Sequence, residues 1–114
     1  MTVQEKSFAF SVKIIQLYKQ FLLQKEFIIS KQLLKSATSI WANVEEASAG
    51  QTKKYFLTKM AIASKEARET RYWLLLLDAT KLIDVSMAPY LSDVNELIKM
   101  LTKIVKTTSE NLKR

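Results

Sequence analysis

Cysteine and histidine are absent from this sequence of 114 residues, and glycine and proline occur once each. Without cysteine there is no disulfide, no thiolate nucleophile and no zinc–thiolate site, and the redox compartment is not legible. Without histidine the commonest general base and the commonest metal ligand are missing. A single glycine leaves no phosphate-cradling P-loop and no dinucleotide fingerprint. One glycine and one proline also cannot punctuate many strands. Long apolar runs are missing too. The longest, Tyr72 to Leu77, spans six residues, against about twenty for a membrane span. The first residues, Met1-Thr2-Val3-Gln4-Glu5-Lys6, lack the apolar stretch of a signal peptide. The expectation is a cytoplasmic protein with no membrane partner.

What is there is a globular composition, 48% hydrophobic and 25% charged, of a length that makes one domain over residues 1–114. Such a chain buries roughly two-thirds of its unfolded surface, enough for a core without covalent staples. Eighteen Lys and Arg against eleven Asp and Glu give a net charge of +7. That balance favours an anionic partner, nucleic acid before a membrane surface. The charge is spread: +2 over residues 1–50, +3 over 51–86 and +2 over 87–114. It is not a basic tail, so any binding surface has to be made by the fold.

Four helical pieces account for the chain. The first runs from Ser7 to Gln24, where Phe10, Ile14, Leu17 and Phe21 recur at helical spacing. Phe8, Ile15, Tyr18 and Leu22 form a second apolar row beside it. Together the rows cover about two-thirds of the circumference, more than the ~100° stripe of a simple surface helix. One side faces a bundle core; the other needs a further cover, which points to oligomerisation. The second piece, Phe27 to Ser48, carries Leu33, Ala37, Ile40, Val44 and Ala47 at the same spacing. Small polar residues, Ser36, Thr38, Ser39 and Asn43, are interleaved and permit close helix approach. Gly50 sits where a left-handed C-terminal cap belongs, and Thr52 is the natural N-cap of the next helix. The third piece, Lys53 to Leu82, has a stripe of Phe56, Met60, Ala63, Ala67 and Leu74. Asp84 to Pro89 is the least helical stretch, and Pro89 fits a first helical turn. The fourth piece, Pro89 to Asn111, repeats Val94, Leu97, Ile98, Leu101, Ile104 and Val105. Short turns between four helices predict an all-α, antiparallel up-down-up-down bundle.

Three basic groups are candidates for contact with phosphates. At the second turn, Lys53 and Lys54 stand beside the free N–H groups of a helix start, where an anion is stabilised. The competing account is compensation, with Glu45 and Glu46 pairing across the turn or with Arg68 and Arg71. Lys65, Arg68 and Arg71 form a rising row on the third piece, with Glu66 and Glu69 interleaved. That row is either a salt-bridged solvent face or a surface that follows phosphates. Lys99, Lys103 and Lys106 lie opposite the apolar stripe of the fourth piece, extended by Lys113 and Arg114. An ordinary polar face is the alternative there. Phe8, Phe10, Phe21, Phe56, Tyr72 and Trp73 lie on apolar stripes and are expected in the core rather than under stacked bases. Trp41 falls outside its stripe and is a candidate for a subunit interface. The carboxylate pairs Glu45/Glu46 and Glu66/Glu69 lack the Glu-x-x-His partners of a di-iron bundle. No enzyme activity, cofactor, metal or catalytic residue is expected.

Several stretches resemble a known family. Ser30-Lys31-Gln32-Leu33-Leu34-Lys35-Ser36-Ala37-Thr38-Ser39-Ile40 and Ala42-Asn43-Val44-Glu45-Glu46-Ala47 resemble the central motif of the bacterial four helix bundle proteins encoded in intervening sequences of 23S ribosomal RNA genes. Gly50-Gln51-Thr52-Lys53-Lys54-Tyr55-Phe56, Ala63 to Leu74 and the opening Ser7-Phe8-Ala9-Phe10 continue the resemblance over nearly the whole chain. It implies a small all-α bundle assembled as a homo-oligomeric ring, typically a pentamer. A related branch, the accessory proteins of diversity-generating retroelements, implies binding of nucleic acid, RNA or DNA, and of a reverse transcriptase through a basic surface. Within the matched motifs the basic candidates are Lys31, Lys35, Lys53, Lys54, Lys65, Arg68 and Arg71. The family usually has glycine at the positions of Ala37 and Trp41, and an indole at a close-approach position must displace something. The expected function is therefore a non-enzymatic, oligomeric, nucleic-acid-binding accessory protein. The alternative is a protein–protein assembly module whose excess charge only keeps it soluble.

Overall fold

The apolar spacings resolve into four helices, α1 (Val3–Leu23), α2 (Ile29–Ala49), α3 (Lys53–Thr80) and α4 (Ala88–Leu112), with no strand. A computed structural model of the chain describes all 114 residues. The helices pack in a closed order: α1 touches α2 and α4, and α3 touches α2 and α4, while the diagonal pairs do not meet. Cross-links between neighbours show the antiparallel run. Ser36 and Glu46 of α2 meet Thr70 and Lys59 of α3, and Lys6 and Lys13 of α1 meet Glu96 and Asp93 of α4, so the numbering rises on one helix as it falls on its neighbour. The bundle measures 51 × 24 × 22 Å.

The core follows the stripes. Phe10, Ile14, Leu17 and Phe21 of α1 meet Leu33, Ala37, Ile40, Val44 and Ala47 of α2, all buried. Met60, Ala63, Ala67 and Leu74 of α3 and Val94, Leu97, Ile98 and Leu101 of α4 complete it. Ile104 and Val105 are only half-buried. The first turns of α1 meet α4 through Lys6 at Asp93 and Glu96, so the last turns of α4 have little of α1 to cover them. Ala37 and Ser36 are fully buried where α2 approaches its neighbours, which accounts for the small residues of that helix.

The helix ends depart from the sequence reading by one or more residues in most places, α2 starting at Ile29 rather than Phe27 among them, and three departures have a clear cause. α1 starts at Val3 rather than Ser7 because Thr2 caps it. Glu5 N–H donates to Thr2 Oγ1 at 3.1 Å, and Thr2 N–H donates back to Glu5 Oε1 at 3.0 Å, the reciprocal capping box. α3 ends at Thr80 rather than Leu82, because Lys81 turns into the left-handed region at φ 51°. Gly50 is not a left-handed cap. Its backbone is extended, φ −71° and ψ 151°, and glycine is required for another reason: a methyl there would collide with the Tyr55 ring. Thr52 does cap α3, accepting from Tyr55 N–H at 3.0 Å. Pro89 lies in the first turn of α4. Ile83 and Met87, in the α3–α4 connection, are buried and close one end of the core.

Candidate nucleic-acid interface

The helix order decides which charges meet. Where α4 faces α1, acids and bases pair: Lys6 reaches Glu96 at 2.7 Å, and Lys13 reaches Asp93 at 2.8 Å. The hydrogen bond to Asp93 holds the Lys13 ammonium above its ordinary pKa. Where α2 faces α3, Glu46 pairs with Lys59 at 2.6 Å, and this raises the Lys59 pKa. The remaining ion pair, Lys81 with Asp78, lies at the end of α3. No ion pair crosses between α3 and α4.

Lys53 and Lys54 are exposed at the start of α3 and form no ion pair. Compensation at this turn is thus real but partial: Glu46 takes Lys59, and neither glutamate takes Arg68 or Arg71. A hollow at the turn is lined by Glu46, Ala49, Gly50, Gln51 and Tyr55. Its one charged wall is acidic, and the two lysines stand outside it.

On α3, Lys65 and Arg68 are exposed and Arg71 is half-buried. Glu66 and Glu69 bridge none of them. The Glu66 carboxyl lies above its ordinary pKa. Partial burial raises it, Glu69 adds to the rise, and Lys65 and Lys35 oppose it. Lys35 of α2 and Lys65 of α3 are thus both close enough to this carboxylate to act on it. Lys31, one turn before Lys35, is exposed and unpaired, and so are Lys99, Lys103 and Lys106 on α4.

The structure brings one residue of the α3 row, Arg68, together with Lys106 and Lys113 of α4. Between α3 and α4 runs a groove of about 430 Å³. Arg68, Lys106 and Lys113 line it with Ser64, Thr102 and Ser109. The Arg68 guanidinium donates to Thr102 Oγ1 at 3.2 Å. Glu110 is the one acid in the lining and bridges neither Lys106 nor Lys113. The hydroxyls are the part the sequence reading missed. The spacing carries a signal for them, because Thr102, Lys106, Ser109 and Lys113 recur at i, i+4, i+7 and i+11, one face of a helix. Lys31, Lys35, Lys53, Lys54, Lys65, Arg71, Lys99 and Lys103 lie outside the groove.

The aromatics divide. Phe10 and Phe21 are buried, and Phe56 and Trp73 pack half-buried against the core. Phe8 and Tyr72, expected inside, are 51% and 53% exposed. Phe8 lies on the outer row of α1, where it meets Trp41 edge-to-face at 5.3 Å between centroids. This is where the indole of Trp41 goes: onto the α1–α2 surface, half-buried. Val12, Ile15 and Leu22 continue the exposed row on α1, and Tyr72, Leu75 and Leu76 are exposed on α3. No helix is long and apolar enough to cross a membrane.

Comparison with known proteins agrees with this architecture. The profile of a family described as 23S rRNA-intervening sequence protein matches residues 1–103. The crystal structure of a protein of unknown function from the S23 ribosomal protein family of Bacteroides thetaiotaomicron is similar, with a TM-score of 0.87 and 45% identity. The match covers 92% of this chain and 99% of that one. No curated protein matches the sequence.

Proposed function

This chain belongs to the 23S rRNA-intervening sequence protein family, and we propose that it is a non-enzymatic, homo-oligomeric bundle that binds RNA or DNA along α3 and α4. The observation that carries the reading is the contrast between seams. Acids pair with the bases where α4 faces α1, whereas no ion pair forms where α4 faces α3 and Glu110 is the one acid in that groove. Arg68 on one side and Lys106 and Lys113 on the other then have phosphates as their natural counter-ions, and Lys65, Arg71, Lys99 and Lys103 add unpaired positive charge elsewhere on the same two helices. Lys31 and Lys35 at the start of α2 and Lys53 and Lys54 beyond its end add positive charge at two further places, a helix length apart.

Assembly is supported by the exposed apolar rows. Phe8, Val12, Ile15 and Leu22 lie on α1, and Tyr72, Leu75 and Leu76 lie on α3. These helices occupy opposite corners of the bundle and never touch, so neither row can cover the other within one chain. A head-to-tail contact, the α1 row of one copy against the α3 row of the next, buries both. Repetition of such a contact closes into a ring when its rotation permits; the family resemblance makes a pentamer the expected ring. Each copy then repeats the basic surface, and weak contacts become avid. Sedimentation velocity with a fluorescein-labelled RNA duplex tests both parts. The expected result is an oligomer that carries the label with it. A monomer that leaves the label sedimenting alone contradicts the proposal.

A further inference from the structure

We propose that the groove between α3 and α4 seats a phosphate group, with the Arg68 guanidinium and the Lys106 ammonium as its principal ligands. The hollows elsewhere on the chain are unsuited. The one at the α2–α3 turn has Glu46 as its charged wall, one near Lys81 also holds Asp84, and one beside Ile29 is apolar. The α3–α4 groove alone gathers more than one cation. None of its cations is spent on a carboxylate. Arg68 uses one of its nitrogens on Thr102 Oγ1, which fixes the plane of the guanidinium and leaves other N–H groups to donate. A planar fork of donors matches two oxygens of one phosphate, whereas lysine supplies a point charge. The Ser64 and Ser109 hydroxyls stand in the same lining as further donors. Val105 supplies an apolar wall, against which the sugar edge of a nucleotide can lie. Glu110 repels an anion from its own side, so the seat is set toward Arg68 and Lys106 and away from Glu110.

Two sources could supply the phosphate, a phosphodiester of a nucleic-acid backbone or a free polyphosphate. The choice of the phosphodiester rests on the nucleic-acid function proposed for this chain; the chemistry of the seat does not. Two double variants of equal charge separate location from net charge: Arg68→Gln with Lys106→Gln, and Lys53→Gln with Lys54→Gln. Binding of the full chain to a 20-base-pair RNA duplex is measured across a salt series. The groove variant is expected to lower the slope of log affinity against log salt by about one, for the one phosphate no longer neutralised. The turn variant is expected to leave the slope nearly unchanged. Equal reductions in both variants overturn the groove and leave nucleic-acid binding standing. If the unaltered chain binds neither this duplex nor its DNA counterpart, the proposed function fails. Sodium tripolyphosphate then decides the groove, through saturable amide shifts at Thr102, Lys106 and Ser109. Shifts abolished by the groove variant support a seat for free polyphosphate, and their absence overturns it. Should the double variant lose helicity by circular dichroism, Lys106→Gln and Lys53→Gln, single variants of equal charge at exposed residues, make the same comparison, with the larger loss of affinity expected at Lys106 and equal losses overturning the seat.

Discussion

Two lysines, Lys25 and Lys81, occupy the left-handed backbone region at φ 61° and 51°. Each follows a helix and turns the chain out of it, the task glycine performs without a side-chain penalty. The one glycine of the sequence stands elsewhere, on extended backbone under the Tyr55 ring. Lys25→Gly and Lys81→Gly should therefore each stabilise the fold by about 1 kcal/mol, read as a higher midpoint in urea. A second residue-scale device sits at the start of α2. The Glu26 carboxylate accepts the N–H groups of Ile28, Ile29 and Ser30 at 3.1, 3.0 and 2.8 Å. Burial pushes its pKa up, but these donors outweigh burial and hold it below the ordinary carboxylate range. A depressed folded pKa means that the ionised form favours the fold. This stabilisation is present above the unfolded pKa of about 4.3 and is lost as pH falls through the folded value. Glu26→Ala should cost about 1 kcal/mol at pH 7 and flatten the acid limb of the stability–pH curve. Glu66 runs the other way. Its folded pKa is raised by partial burial and by Glu69, so its ionised form opposes folding, and Glu66→Gln should raise the thermal midpoint at neutral pH.

At the scale of the helices, apolar spacing is a sufficient guide to the four elements, their order and their buried stripes, because a 3.6-residue period survives without any tertiary information. Helix ends are less legible, since they depend on single hydrogen bonds. The pattern Thr2-Val3-Gln4-Glu5 is a capping box in plain view, but apolar periodicity alone starts the helix at Ser7. Glu26 caps α2 through its side chain from outside the helix, a geometry no residue preference announces. Ion pairing is legible only as a choice of partners, because which acid meets which base depends on the helix order. Glu46 finds Lys59, which the turn sequence does not single out. The α2 seam makes a sharper prediction. Ala37 is 0% exposed and Ser36 lies against Thr70. Close approach leaves no room there, and Ala37→Leu should destabilise by about 1–3 kcal/mol through overpacking, measured by chemical unfolding.

At the scale of the molecule, the two unmet needs of the single chain are a cover for apolar surface and counter-ions for basic surface. The apolar rows on α1 and α3 lie at opposite corners, and the basic groove lies between α3 and α4. Phe8→Glu with Ile15→Glu should shrink the assembly in light scattering while leaving the helical circular dichroism unchanged, because both side chains are exposed within the chain. The proposed function rests on assembly and contact. The central claim is that this contact is with nucleic-acid phosphates. Its most direct measurement is the affinity of the unaltered protein for RNA and DNA duplexes between about 50 and 200 mM salt, the range over which counter-ion release is readily seen. The account predicts a straight line of log affinity against log salt with a slope of several units. A flat line, or no binding at the lowest salt, would contradict it.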